Sequence, residues 1–142
     1  MEQDVLLDRV IMSVNFVLGD FLARLNNAKK QHLISIYVQN TRLVKDILLV
    51  LVNLGVIRDI TLIDDKYIEV FLKYYKRRCV YKSFKLVSLP SKRVYLDLIK
   101  LIKLKNTKSG YIYILSTTKG IKTDFECIYA KISGEILFRI EI

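Results

Sequence analysis

Between Asn40 and Tyr74 the sequence changes its hydrophobic period from helical to strand-like, and that change restricts the fold more than any other feature. Asn40 or Thr41 can cap a helix whose apolar face carries Leu43, Val44, Ile47, Leu48, Leu51 and Leu54. Gly55 ends it, because a residue without a Cβ enters the left-handed conformation of a helix C-terminus without steric cost. From Ile57 the period becomes two. Strands are predicted from Ile57 to Ile63 and from Tyr67 to Tyr74, around the polar turn Asp64-Asp65-Lys66. In the second, Ile68, Val70 and Leu72 alternate with Tyr67, Glu69 and Lys73, as in a sheet with one covered face. Ahead of this segment, Met1 to about Lys30 reads as helical, with Leu22 and Leu25 on the apolar face, and Leu33 to Val38 reads as a short strand. Together these form an α-β-α-β-β unit.

Lys76-Arg77-Arg78 marks the best boundary, serving either as a solvated linker or as a phosphate contact. Beyond it, Val80, Lys82, Phe84 and Leu86 alternate with Tyr81, Ser83 and Lys85, predicting a strand that Pro90 ends. Lys92 to Tyr95 reads as extended, Asp97 to Leu104 as one or two helical turns, and Asn106 to Gly110 as a polar loop. Tyr111 to Leu115 is a further strand, and Glu135 to Ile140 is the last, after a Ser133-Gly134 turn. The expected fold class is α+β in two small units: an extension over 1–17, an α/β unit over 18–75 and a β-rich unit with short helices over 76–142.

Charge separates the two units. The chain of 142 residues carries a net +10, yet Lys73 to Lys122 holds fourteen Lys/Arg against the single acid Asp97, a balance of 14 − 1 = +13. The remainder therefore sums to 10 − 13 = −3. So long a basic block is the electrostatic footprint of a binder of nucleic acid or of an anionic surface. A membrane span is not expected: the most apolar stretch, Leu43 to Ile57, is interrupted by Lys45, Asp46 and Asn53. At 52% hydrophobic residues the chain has enough apolar side chain for a real core. Cys79 and Cys127 form no C-x-x-C pair, and Cys127 reads as a buried thiol on a helix.

Inside the basic block lies Ser116-Thr117-Thr118-Lys119-Gly120, expected as a loop between the strand and a short helix. Thr123-Asp124-Phe125-Glu126 has capping-box spacing at the start of that helix. Hydroxyls both donate and accept, so they suit base edges and 2′-hydroxyls, and a neighbouring lysine suits phosphate.

Several segments resemble the universal family of small-subunit ribosomal protein eight, in its bacterial or organellar form. Gly19-Asp20-Phe21-Leu22-Ala23-Arg24-Leu25-Asn26-Asn27-Ala28 is similar to the family's opening helix, and Leu54-Gly55-Val56-Ile57 and Leu72-Lys73-Tyr74 to its later junctions. Ser88-Leu89-Pro90-Ser91-Lys92-Arg93-Val94-Tyr95 resembles its Ser-Arg-Pro-Gly-x-Arg-Ile-Tyr, with Leu89 and Ser91 as departures. The most specific likeness is Ser116 to Asp124, against Ser-Thr-Ser-x-Gly-x-Met-Thr-Asp, followed by Ser133-Gly134-Glu135-Ile136.

The resemblance implies a structural protein that binds small-subunit ribosomal RNA in its central domain and assists its folding, beside neighbouring ribosomal proteins. It implies no cofactor, membrane or small-molecule substrate. The expected RNA-binding residues are Ser116, Thr117, Thr118, Lys119 and Gly120, with Ser88, Pro90, Lys92, Arg93, Tyr95 and Glu135. Lys119, Arg93 and Lys92 would hold phosphate; Tyr95 would pack on a base or sugar or sit in the core or rim; Glu135 would orient a cation. With about six phosphate contacts, affinity should fall on the order of a thousandfold between about 50 and 200 mM salt.

Catalysis finds no support in these residues: His32 stands alone beside an apolar strand, and Lys119-Gly120 lacks the spacing of a phosphate loop. The rival reading is a basic protein–protein adaptor in a ribonucleoprotein particle. The wealth of Lys, Ile, Tyr and Leu, with no Trp and one Pro, suggests an AT-rich genome. Glu2, Asp4 and Asp8 are wrong for a transit peptide, and a mitochondrion is the expected compartment, with a plastid or a bacterium as alternatives.

Overall fold

The computed structural model describes residues 14–89, 91–107 and 110–142, so most of the expected extension lies outside the described residues. The N-terminal helix α1 (Val14–Lys30) leads through strand β1 (Ser35–Gln39) into helix α2 (Arg42–Leu54). Of the two candidate caps Thr41 is the one used: its side chain accepts the Val44 N–H at 3.2 Å. Gly55 closes the helix at φ 80°, and Val44, Ile47, Leu48 and Leu51 are buried. Strands β2 (Ile57–Leu62) and β3 (Tyr67–Leu72) follow, and the antiparallel order is β1-β3-β2. Ile68, Val70 and Leu72 face α1 and α2, while Tyr37 and Tyr67 stand half-exposed on the open face. Strand β3 stops at Leu72 because Tyr74 already belongs to a hairpin of β4 (Tyr74–Tyr75) and β5 (Arg78–Cys79). The Lys76-Arg77 pair is thus a hairpin turn rather than a linker.

A five-stranded antiparallel sheet follows. Its strands are β6 (Ser83–Leu86), β7 (Tyr95–Leu96), β8 (Tyr111–Thr117), β9 (Gly120–Thr123) and β10 (Gly134–Glu141), ordered β6-β10-β8-β9 with β7 also paired to β10. Helices α3 (Leu98–Thr107) and α4 (Asp124–Ala130) complete it. Helix α3 runs past the expected end, absorbing Asn106, and the Asp97 carboxylate caps it by accepting the Lys100 N–H at 2.8 Å.

The expected strand from Val80 begins only at Ser83, and the parity of burial changes with it. Tyr81, expected to alternate with Phe84, is instead buried like it, fully so, and its hydroxyl donates to the Leu25 carbonyl at 2.8 Å. Burial, helped by nearby Cys79, pushes that phenol well above its ordinary value. Three residues later Phe84 is buried too, because the chain reorients at Lys82 before pairing with β10. Asn26 joins α1 to β6: its amide donates to the Phe84 carbonyl and accepts the Phe84 N–H, both at 2.9 Å. One apolar cluster consequently runs from Leu18, Leu22 and Leu25 through Tyr81 and Phe84 to Phe138 and Ile140. A second, of Leu101, Tyr113, Leu115, Cys127 and Ile136, lies beneath α3 and α4.

Candidate nucleic-acid interface

The hydroxyl-rich segment is not the expected loop between strand and helix. Ser116 and Thr117 are the last residues of β8, and Gly120 opens β9, so the segment is the tip of a β-hairpin. Thr117 faces Gly120 across a turn of Thr118 and Lys119. Gly120 takes φ 99°, a conformation side chains resist and glycine adopts freely. The Thr117 hydroxyl donates to the Gly120 carbonyl at 2.8 Å and accepts the Lys119 N–H at 3.2 Å. Thr117 therefore holds the turn. The Ser116 and Thr118 hydroxyls take no partner among the described residues, and Thr118 and Lys119 are exposed. At the base of β9, Thr123 caps α4 in a complete capping box with Glu126.

Sheet register brings the remaining residues to this edge. Glu135 stands opposite Ser116 on one side and opposite Tyr95 on the other, so Tyr95, Glu135 and Ser116 form one row across β7, β10 and β8. Tyr95 is 64% exposed, outside the core. The Glu135 carboxylate is nearly buried, with Oε2 3.8 Å from Arg93 Nη1, while Oε1 has no partner among the described residues. The pair thus sets a cation beside the row. Lys92 is exposed beside it, in a tight turn closed by mutual backbone bonds with Leu89. Pro90, within that turn, lies outside the described residues.

Ser88 departs from expectation. It is fully buried, its hydroxyl donating to the Ile136 carbonyl and accepting the Val94 N–H at 3.0 Å. Both capacities are engaged internally, so this side chain presents nothing to a ligand and instead fixes the 88–95 segment against β10.

Two supports escaped the sequence reading. At Gly134 an added Cβ would lie 2.1 Å from the Ser116 carbonyl oxygen, so only glycine lets β10 approach the hydroxyl edge. Asp124, fully buried, accepts from Lys105 Nζ at 2.9 Å and from the Tyr113 and Phe125 amides, tying α3 and α4 to β8. Lys105 also covers the Phe125 ring at 4.0 Å. The capping-box motif pointed to Thr123 and Glu126 but carried no signal for this buried carboxylate.

These features define a basic α+β protein with hydroxyls and cations gathered along one sheet edge. The ribosomal protein S8 family matches over residues 17–140, and the chain belongs to that family. It is a structural protein of the small ribosomal subunit, in a family of structural proteins rather than enzymes. Among its relatives is the small ribosomal subunit protein uS8m of Acanthamoeba castellanii, 39% identical over 107 residues, covering 75% of this chain and 84% of that protein. The uS8 protein of Anaplasma marginale is 35% identical over 130 residues, 89% of this chain and 97% of its own. That of Orientia tsutsugamushi is 36% identical over 134 residues, 91% and 99%. Mitochondrial and bacterial forms thus both stand near this sequence.

Proposed function

We propose that this chain binds small-subunit ribosomal RNA directly, in the central domain of that RNA, and helps the domain fold during assembly. The row Tyr95–Glu135–Ser116, ending at the Thr118-Lys119 turn, carries the reading. An A-form helix hides its bases in a deep major groove and offers 2′-hydroxyls in a shallow minor one. The small hydroxyls of Ser116 and Thr118 reach such a surface, where a bulky cation would not fit. Lys119, Lys92 and Arg93 neutralise phosphates at the rim, and Glu135 keeps Arg93 in register. The exposed Tyr95 ring packs on a base or sugar. Gly120 and Thr117 shape the turn rather than read the ligand.

Neighbouring ribosomal proteins are assigned to the N-terminal unit, whose open sheet face carries Tyr37 and Tyr67. The compartment proposed is a mitochondrion, supported by the AT-rich composition and the mitochondrial relative; a tagged chain found outside the organelle would refute it.

The RNA reading is tested by nuclease protection of small-subunit RNA by the full chain and by S116A/T118A. The wild type should protect a discrete segment, and the variant should lose about thirtyfold in affinity, two net hydrogen bonds' worth. Unchanged protection by the variant would overturn the assignment of these hydroxyls. No protection by the wild type, with tight binding to a protein partner, would favour the adaptor.

A further inference from the structure

The β4–β5 hairpin is joined by two residues, with Tyr75 paired to Arg78 and Tyr74 to Cys79. Its turn residues Lys76 and Arg77 have φ 51° and 66°. Two consecutive left-handed residues make a type I′ turn, the niche of Asn-Gly, because a Cβ there crowds the backbone. Among the described residues, four other than glycine have positive φ: His32, Lys76, Arg77 and Lys131. His32 and Lys131 follow the ends of α1 and α4, where the left-handed residue lets backbone N–H groups bond the last-turn carbonyls, Leu33 to Ala28 and Ile132 to Cys127. Lys76 and Arg77 stand at no helix end, so that compensation is missing. Nor does an acid supply it. Arg93, Lys105, Lys122, Lys85 and Arg139 each have a carboxylate within 4.0 Å, but among the described residues Lys76, Arg77 and Arg78 have none. Strain retained at an exposed turn, in exchange for two outward unpaired cations, points to something outside the protein.

The surroundings say what. Grooves flank the hairpin on both sides, one lined by Lys73, Tyr75 and Lys76, the other by Lys29, Arg77 and Lys82, with Arg78 shared by both. Tyr75 is 69% exposed, and Lys76 Nζ lies 5.4 Å from its ring centroid, so an aromatic platform sits within the cationic field. The second groove reaches Ile142, just past the far end of β10 from Glu135. Seven residue steps at about 3.3 Å put the two regions about 23 Å apart.

We infer that the β4–β5 hairpin is a second RNA contact, gripping phosphates of a stretch of small-subunit RNA distinct from the one at the β8–β9 edge. This rests on the RNA-binding reading above. The rigid turn holds its cations in place before binding, so less freedom is lost on contact.

The test uses K76N/R77G, which removes two charges while giving the turn its preferred residues, so loss of fold does not confound it. R42Q/R58Q removes the same charge from exposed positions of the N-terminal unit. Each full-length chain is titrated with small-subunit ribosomal RNA between about 50 and 200 mM salt and footprinted by hydroxyl radical. K76N/R77G should melt about 3–6 °C higher than wild type. Its salt slope should be shallower by about 1.5, so that the wild type loses about eightfold more affinity over that range. It should also lose one protected segment while keeping the one that S116A/T118A loses. An unchanged slope and footprint, uniform weakening without loss of a segment, or an equal effect from R42Q/R58Q would each overturn the second contact while leaving the first standing. Absence of any wild-type footprint would overturn both.

Discussion

The turn at Thr118-Lys119 gives its positive-φ position to a glycine, whereas the turn at Lys76-Arg77 gives two such positions to cations. Both turns join antiparallel strands and both are exposed, yet the first is relaxed and knitted by Thr117 while the second is strained and bare. At both turns the cations are exposed and without a carboxylate among the described residues, Lys119 at the first and Lys76 and Arg77 at the second; the first differs in carrying the hydroxyls of Ser116 and Thr118 beside its lysine. A relaxed hydroxyl-bearing edge suits recognition of shape, and a strained cationic turn suits phosphate. The two proposed contacts thus stand toward opposite ends of β10.

The largest effect should come from G134A. A methyl 2.1 Å from the Ser116 carbonyl forces β10 away from β8 at the hydroxyl edge, costing about 3 kcal/mol or more in a urea titration. The footprint at that edge should disappear before the one at the β4–β5 hairpin, and simultaneous loss would show that the regions do not act separately. S88A comes next, at about 2 kcal/mol, because it leaves the Ile136 carbonyl and the Val94 amide without their partner. A sharper comparison lies in two glycine exchanges of opposite sign. G120A should destabilise by about 1 kcal/mol and R77G should stabilise by a similar amount, since each changes a positive-φ site in the opposite direction. Equal signs would mean the two turns are not strained differently.

The smallest effects concern the thiols. Cys79 lines both hairpin grooves, and Cys127 is buried beneath the other end. Burial, then Glu126 and Asp124, push the Cys127 thiol from 9.0 up to about 11. A thiol reagent at pH 8 should therefore modify Cys79 in the native chain, more slowly once RNA is bound, and Cys127 only on unfolding. The folded thiol keeps its proton where the unfolded one has lost it. Its contribution to stability is thus complete below pH 9 and is lost as pH rises towards about 11, a decline that C127A should flatten. Equal native reactivity of the two thiols would contradict this packing.

The stretch from Thr41 to Leu72 was legible, because the Thr41 cap, the Gly55 stop and the alternation through Leu72 are local signals for local structure. The capping box at Thr123 was legible for the same reason. What escaped depends on partners distant in sequence. Tyr81 is buried because α1 lies above it, and Asn26 matters because Phe84 is 58 residues away. Ser88 looked like a ligand-facing hydroxyl until β10 claimed it, and Thr117 looked like one until Gly120 turned back to accept its proton. The hairpin at Lys76-Arg77 was hidden because its turn lacks the Asn and Gly that normally announce one.

The most direct test of two separate RNA contacts is a structure of the intact small ribosomal subunit containing this chain. Ser116 and Thr118 should lie within hydrogen-bond distance of RNA sugars or base edges, and Lys76 and Arg77 against phosphates of a different stretch. Finding the β8–β9 edge against protein or solvent, or both turns on the same few nucleotides, would contradict it.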